Sequence, residues 1–549
     1  MMNNMRKALQ LHHNLDLGIL FQHCTLLITN HNPHSLKHLY VLLLRAWFRY
    51  AELCKNCFSK IFLASLKKMN RFLKNQAYIN GEWKAVKLTF TLFNPYTGEK
   101  IGDAADSSKQ EAEEAVKVAH ETFTKRWKKT CAKERARILR KWGSLIEDNK
   151  QILAELVTTE NGKPIGQSLA EIQYAASFLE WCAEEARLTY GATIPSPNPN
   201  KRMMSIMQPV GVAGAITPWN FPFAMITRMA CAAIAAGCTV VLKPAEDTPF
   251  SALALAELSM EAGLPPGVLN VLPASRQRAQ EIGDVLCSHS DVAVISFAGS
   301  TAVGKKILQQ SASTVKKVGL ELGGLAPFIV FESADVDAAV KGAMAIKFRV
   351  MGQSCICANR FYVHENVHDE FVTKLTTAVK SDVKAGIPMD PNVTLGPLIN
   401  EKGLAKVEDH LQDALSKGAK VMVGGKRSAL GGTFFDPTLI TNVTSDMKCC
   451  QEETFGPLIP VMKFNDESEV VAMANNTRVG LGAYFYSKDV VQCWRVAENL
   501  EVGMVGVNDC ELSAAEIPFG GVKESGLGRE GSSRALEEYL ETKYICWGV

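Results

Sequence analysis

Three short stretches of this chain carry side chains able to do carbonyl chemistry. In Gly352-Gln353-Ser354-Cys355-Ile356-Cys357 a thiol follows a polar, glycine-containing approach. A cysteine is an attractive nucleophile because a few per cent of it is already thiolate at neutral pH. In Glu321-Leu322-Gly323-Gly324 a carboxylate stands beside two glycines, where backbone can pass close to a ligand, and it is a candidate general base. In Pro218-Trp219-Asn220-Phe221-Pro222 two prolines stiffen a loop holding one amide, which could donate to a developing oxyanion. Each has a plainer reading. A free cysteine is most often a small core side chain, and a lone glutamate is often a cap or an ion-pair partner.

Two further stretches suit a nucleotide. Gly299-Ser300-Thr301-Ala302-Val303-Gly304-Lys305-Lys306 nearly matches the phosphate loop of NTPases, but Lys306 stands where a magnesium-binding hydroxyl is needed. As a loop entering a helix it suits a dinucleotide pyrophosphate, since exposed N–H groups favour anions. Lys243-Pro244-Ala245-Glu246 places an acid that can bond ribose hydroxyls and repel a 2′-phosphate.

The elements that must position these residues are legible in the hydrophobic pattern. Tyr78–Trp83 reads as a hairpin turning at Asn80-Gly81. Ser108 and Glu111 form a capping box ahead of a helix. Amphipathic stretches follow at Arg135–Thr159 and Gly166–Leu188, then an exposed hairpin over Gly191–Val210. Strand-like runs at Gly211–Thr217, Cys238–Lys243, Val268–Leu272, Val292–Phe297 and Lys317–Leu320 alternate with helical Ala224–Ala236 and Pro249–Ala262, the latter with Thr248 as cap. Buried strands with crossover helices predict a doubly wound parallel sheet, with ligands at the carboxyl ends of its strands. Ala326–Phe331, Phe361–Val363 and Lys420–Val423 open a second α/β domain.

The bulk composition fits a packed multidomain protein. The 549 residues are 47% apolar and 21% charged, with 40 Gly and 22 Pro, which excludes collagen-like and disordered classes. A net charge of +3 argues against nucleic acid as a partner. The 15 cysteines are scattered, so reduced thiols are expected, and no apolar run is long enough to span a bilayer. Residues 1–70 stand apart: nine Lys/Arg against Asp16 and Glu52, and six of the 11 His. This basic front end has the character of a mitochondrial transit peptide. An unstructured extension ahead of a start at Met69 is the alternative. Cys54 and Cys57 lack a second pair at zinc spacing, so no metal site is expected.

Taken in order, the asparagine loop, Lys-Glu strand end, Gly-rich loop, Glu-Gly-Gly and Gly-Gln-x-Cys resemble the aldehyde dehydrogenase superfamily over roughly residues 73 to 549. Glu452-Glu453-Thr454-Phe455-Gly456-Pro457 and Pro518-Phe519-Gly520-Gly521 add two more of its signatures. The resemblance implies an NAD-binding domain over 73–190 and 211–322 and a catalytic domain over 323–512. It also implies oligomerisation segments at 191–210 and 513–549 and an extension over 1–72. It implies Cys355 as nucleophile, Glu321 as base and Asn220 as oxyanion donor. Cofactor contacts are implied at Thr217, Trp219, Arg228, Lys243, Pro244, Ala245, Glu246, Gly299, Ser300, Thr301, Ala302, Val303 and Gly304, with Glu453 and Phe455 near the nicotinamide ribose.

Phe221–Arg228, Glu321–Phe331, Gly396–Asn400 and Gly503–Asn508 look most like the branch that oxidises succinate semialdehyde, which grips the far carboxylate at Arg228, Arg349 and Ser513. The expected protein is therefore an NAD-dependent homodimer or homotetramer in the mitochondrial matrix, or in the cytoplasm if the extension is no signal. It acts on a small aldehyde without a metal. Another aldehyde substrate, or a non-catalytic homologue, is the alternative. Cys357 is either core packing or a resolving thiol that traps oxidised Cys355 as a disulfide. Three stretches depart from the family pattern: Val350-Met351, where Asn and a small residue are usual; Ala298, where Thr is common; and the acidic Asp509-Cys510-Glu511 near Ser513.

Overall fold

The structure, a computed structural model, describes residue 69 and residues 71–549. Most of the basic front end, with Cys54 and Cys57, lies outside the described residues. Phe72 is already fully buried and packs with Trp127 and Trp142 in the first core, so the folded body begins before residue 73.

The first sheet holds five parallel strands in the spatial order Leu269–Val271, Thr239–Lys243, Val212–Ile216, Val292–Ala298, Lys317–Glu321. The chain winds outward from Val212–Ile216 in one direction, then returns to its other side. The two neighbours at that reversal, Val212–Ile216 and Val292–Ala298, open at their carboxyl ends into the Asn220 loop and the Gly299 loop. A doubly wound sheet binds ligands at such a reversal because the connections diverge and leave a crevice. Thr239–Lys243 is buried along its whole length, as a strand covered on both faces must be. The Ala77–Ile79 and Glu82–Lys84 hairpin closes one edge. At the other edge Gly526–Leu527 pairs antiparallel with Leu320 and Glu321, so part of the tail braces the strand that ends in the carboxylate.

Two local expectations need correction. Arg135–Thr159 is not one helix: Ala132–Asp148 ends where the Asn149 side chain donates to Leu145 O at 2.7 Å, and Lys150–Asn161 restarts. Thr248 makes no side-chain cap. Buried Glu160 does that work instead, accepting from Phe250 N at 3.0 Å and Ser251 N at 2.9 Å. A carboxylate at a helix N-terminus satisfies donors the helix leaves open and suits its dipole.

The second sheet has six parallel strands and an antiparallel edge at Lys420–Val423. Ala326–Val330 and Ala358–His364 are its central pair. A third, antiparallel sheet joins Ala192–Ile194, Lys201–Pro209 and the terminal strand Leu540–Gly548. Among the described residues no helix is long and apolar enough to cross a membrane.

Candidate active site

A cavity of about 520 Å³ lies between the two large sheets. Asn220, Glu321 and Cys355 all line it, as do Trp219, Arg228, Glu246, Gly299, Ser300, Arg349, Glu453, Phe455 and Ser513. Thr217, Lys243, Pro244, Ala245, Thr301, Ala302, Val303, Gly304 and Cys357 are not among its walls. Lys243 is buried just behind, its ammonium donating to Pro244 O at 2.9 Å and pairing with Glu246 at 3.7 Å. Gly304 packs under Leu322 rather than facing a ligand.

The Asn220 loop is held from below. Lys163 and Glu171, both inaccessible to solvent, form an ion pair. Lys163 also donates to Asn220 O at 2.8 Å, and Glu171 accepts from Phe223 N at 2.9 Å. Asn161 donates to Trp219 O at 2.9 Å. The Asn220 side chain is oriented at both ends, its oxygen accepting from Phe221 N and its nitrogen donating to Gln353 O at 3.1 Å. One amide hydrogen of Asn220 is left for a ligand.

The Cys355 loop is built differently. The helix Val336–Phe348 ends at Arg349, and the backbone then takes a left-handed course at Val350 (φ 49°), Met351 (φ 61°) and Gly352 (φ 75°). Non-glycine residues there cost about 1–2 kcal/mol each, and a β-branched residue is a genuine outlier. Both side chains are 2% exposed, and burying each returns roughly 1.5–3 kcal/mol. Burial therefore outweighs the strain, and the sequence departure at Val350-Met351 leaves the turn intact. Gly324 makes room on the other side: a Cβ there would lie 2.5 Å from Cys355 O.

Burial governs the electrostatics. It raises the Glu321 carboxyl well above the carboxylate range, with Glu530 adding to the rise and Arg228 opposing it. One oxygen of Glu321 has no partner among the described residues. Glu453, half-buried and bonded by Gly324 N at 3.2 Å, is pushed up to about 7 by desolvation. The Cys355 thiol is pushed up to about 12 by burial, then by Glu453 and Glu321. Burial therefore favours the protonated thiol and raises the carboxyl that lines the same cavity.

At one end of the cavity the cationic groups differ sharply. Arg228 is buried, donates to Ser513 at 3.3 Å, bonds the Tyr174 hydroxyl, pairs with Glu530 at 3.2 Å and stacks 4.2 Å over Phe519. Arg349 stacks 5.2 Å from Phe221 but makes no ion pair among the described residues. Asp509 and Glu511 are exposed and absent from the walls; Asp509 is turned onto the backbone N–H groups of Cys510 and Glu511. The acidic stretch thus puts no charge into the cavity. Cys357 is buried behind Cys355, its sulfur 3.6 Å from Ala358 O, and both thiols are free.

Several residues carried no motif: Gln167, Glu171 and Tyr174 on the helix Ile165–Glu185, and Arg276, Lys402 and Lys406 on the cavity wall. The first three lie four and three residues apart, which puts polar groups on one face of a largely apolar helix.

The pattern of residues 83–545 matches the aldehyde dehydrogenase family. The chain is 56% identical over 476 residues to mitochondrial succinate-semialdehyde dehydrogenase of Rattus norvegicus, spanning 87% of this chain and 91% of that protein. A crystal structure described as an NADP-dependent enzyme of E. coli superposes with a TM-score of 0.86 at 50% identity, over 87% of this chain and 99% of that one. Betaine aldehyde dehydrogenase of Staphylococcus aureus in complex with NAD+ superposes with a TM-score of 0.84 at 35% identity, over 87% and 95%.

Proposed function

We propose, because this chain belongs to the aldehyde dehydrogenase family, that it oxidises succinate semialdehyde to succinate with NAD through a thioester on Cys355. The observation that carries the substrate is Arg349, a solvent-exposed cation without an ion-pair partner among the described residues, which lines the same cavity as buried Arg228 and Ser513. A solvated guanidinium beside a buried one is free to take a carboxylate in a bidentate contact. A substrate carboxylate would use it, and an aliphatic or betaine aldehyde would not.

The walls fit a dinucleotide. Gly299 and Ser300 lead into the N-terminus of the helix Thr301–Ser311, an anion site. Arg276, Lys402 and Lys406 add positive charge, and Glu246 is an acceptor for ribose hydroxyls. Glu453 would hold the second ribose, beside the edge-to-face pair Trp219 and Phe455, with centroids 5.6 Å apart. The same Glu246 repels a 2′-phosphate, which favours NAD over NADP. When bound, NAD supplies the acceptor for the hydride that the aldehyde carbon gives up.

The chain's own residues do the rest. Cys355 gives its proton to solvent in the cavity and its sulfur bonds to the carbonyl carbon. Asn220 and the Cys355 N–H stabilise the oxyanion. Loss of hydride leaves a thioester, and Glu321 takes a proton from water, which attacks it and releases succinate and the thiol. A raised carboxyl suits this duty because it holds a proton more strongly than an ordinary carboxylate does.

Further parts of the reading have their own supports. The exposed sheet ending in Leu540–Gly548, with Tyr544 and Trp547 outward, supports assembly as a homodimer or homotetramer. The basic residues of 1–72 and the mitochondrial rat relative support the matrix as its place, which import of a reporter fused to residues 1–72 would check. Cys357 supports a redox role: peroxide oxidises Cys355 to a sulfenic acid, which Cys357 displaces with loss of water to give a disulfide. A dithiol should reverse inactivation in the parent and not in Cys357→Ala.

The deciding experiment is a panel of succinate semialdehyde, butanal and betaine aldehyde with NAD and NADP, following absorbance of the reduced cofactor. Succinate semialdehyde with NAD should give the highest kcat/KM. A preference for butanal or betaine aldehyde would reject the substrate, and a preference for NADP would reject the cofactor.

A further inference from the structure

The nucleophile turn has an anchor that its own sequence does not supply. Val350 N donates to Gln167 Oε1 at 2.7 Å, across a separation of 183 residues. Gln167 is itself oriented, since its amide nitrogen donates to Thr394 O at 2.8 Å. The Val350 carbonyl is held by Gln353, whose backbone N–H and side chain donate to Val350 O at 2.9 and 3.2 Å. Gln353 in turn accepts from Ile399 N at 3.0 Å and from Asn220 at 3.1 Å. Gly352 is pressed against the neighbouring loop, where a Cβ would lie 2.4 Å from Gly456 O.

A left-handed run through Val350 and Met351 is not a conformation these residues choose alone. Gln353 lies inside the turn and moves with it, whereas Gln167 belongs to the helix Ile165–Glu185 of the cofactor half. Gln167 bonds Val350 itself, whereas the outside ties through Ile399 and Asn220 reach the turn only by way of Gln353.

We propose that Gln167 is a positioning residue, which holds the left-handed turn at Val350–Met351 and thereby sets the places of Arg349 before it and Cys355 after it. The inference rests on the reading of Cys355 as nucleophile. Without the amide, the Val350 peptide is free to relax toward right-handed backbone, and both side chains shift together.

The test compares the parent with Gln167→Ala, Val350→Asn and the double variant. Asn tolerates left-handed backbone and has nearly the volume of Val. Two readouts are taken: kcat/KM for succinate semialdehyde, and the rate at which iodoacetamide labels Cys355 without substrate, followed by peptide mass. In Gln167→Ala kcat/KM should fall about tenfold or more, because small misplacements of reacting groups are costly. Labelling should instead speed up about fivefold, because a displaced thiol gains water and thiolate. The double variant should return both readouts to within about threefold of Val350→Asn, since the turn then needs no external clamp. If Val350→Asn does not fold, Val350→Gly offers the same backbone freedom.

A Gln167 that only ties helix to loop would lower thermal stability with no rescue by either Val350 variant. That result, or Gln167→Ala matching the parent in both readouts, overturns the proposal. Labelling needs no substrate, so it still decides if the parent proves inactive on succinate semialdehyde, an outcome that rejects the substrate reading instead.

Discussion

The two loops that meet across the cavity are held in place by opposite means. The Asn220 loop has no left-handed residue between Thr217 and Phe223, and beneath it sits a sealed lysine–glutamate pair with further bonds to the backbone. The Cys355 loop has three left-handed residues in succession, two of them not glycine, and its outside hold is neutral amide chemistry. A donor for an oxyanion must stay still through the reaction, and a fully satisfied buried pair gives that stillness. A nucleophile must reach, bond and release. Its loop is fixed by burial working against strain, a balance that single substitutions can tip.

Removing the reacting atom should have the largest effect. Cys355→Ala should cut turnover by about a thousandfold or more, while the fold, followed by circular dichroism, is unchanged. Next comes the frame of the still loop. Glu171→Ala leaves Lys163 buried and unpaired, which should cost about 3–5 kcal/mol of stability in a denaturant midpoint. Lys163 is already pulled below the ordinary lysine range by burial, with Glu171 opposing the fall. By contrast Val350→Asn in the other loop gives up buried apolar contact but relieves left-handed strain, so it should cost less stability than Glu171→Ala. If the two variants destabilise equally, the contrast between the loops is wrong.

The anion end gives a smaller and more selective effect. Arg349→Ala should raise KM for succinate semialdehyde more than about tenfold and leave butanal nearly untouched, because only the first carries a carboxylate for the guanidinium to bind. Arg349 is the cleaner probe, because Arg228→Ala also strands Glu530 and the Tyr174 hydroxyl. The smallest effect is pH. Burial, Glu453 and Glu321 push the Cys355 thiol up to about 12, so its charged form is scarce at neutral pH and grows as pH rises. Labelling of Cys355 in the free protein should climb from about pH 6 to about pH 10 without a plateau. Glu453→Gln should shift that climb to lower pH.

Much of this was readable from residue order, and the gaps have physical causes. Cys355, Glu321 and Asn220 stand out because glycines or prolines flank them, which marks backbone set close to something. Strands of the first sheet were legible because burial on both faces leaves continuous apolar runs. In the second sheet Leu458–Phe464 was missed: Pro460 lies inside it and paired with Ile440, where proline argues against a strand. Lys163 and Glu160 could not be assigned, since the loop backbone that each holds lies 57 and 90 residues away. Gln167, Glu171 and Tyr174 left a fainter trace, a polar line on an apolar helix. That line marks the face of the helix turned to the site, and it is the signal that could have found them.

The central claim is a thioester on Cys355 that Glu321 helps to hydrolyse. It is tested most directly by mixing Glu321→Gln with NAD and succinate semialdehyde, stopping the reaction within the first turnover, and weighing the peptide that contains Cys355. The account predicts a burst of reduced cofactor and a succinyl group on Cys355 that persists longer than in the parent. Reduced cofactor formed with Cys355 unmodified, or steady turnover by Cys355→Ala, would contradict it.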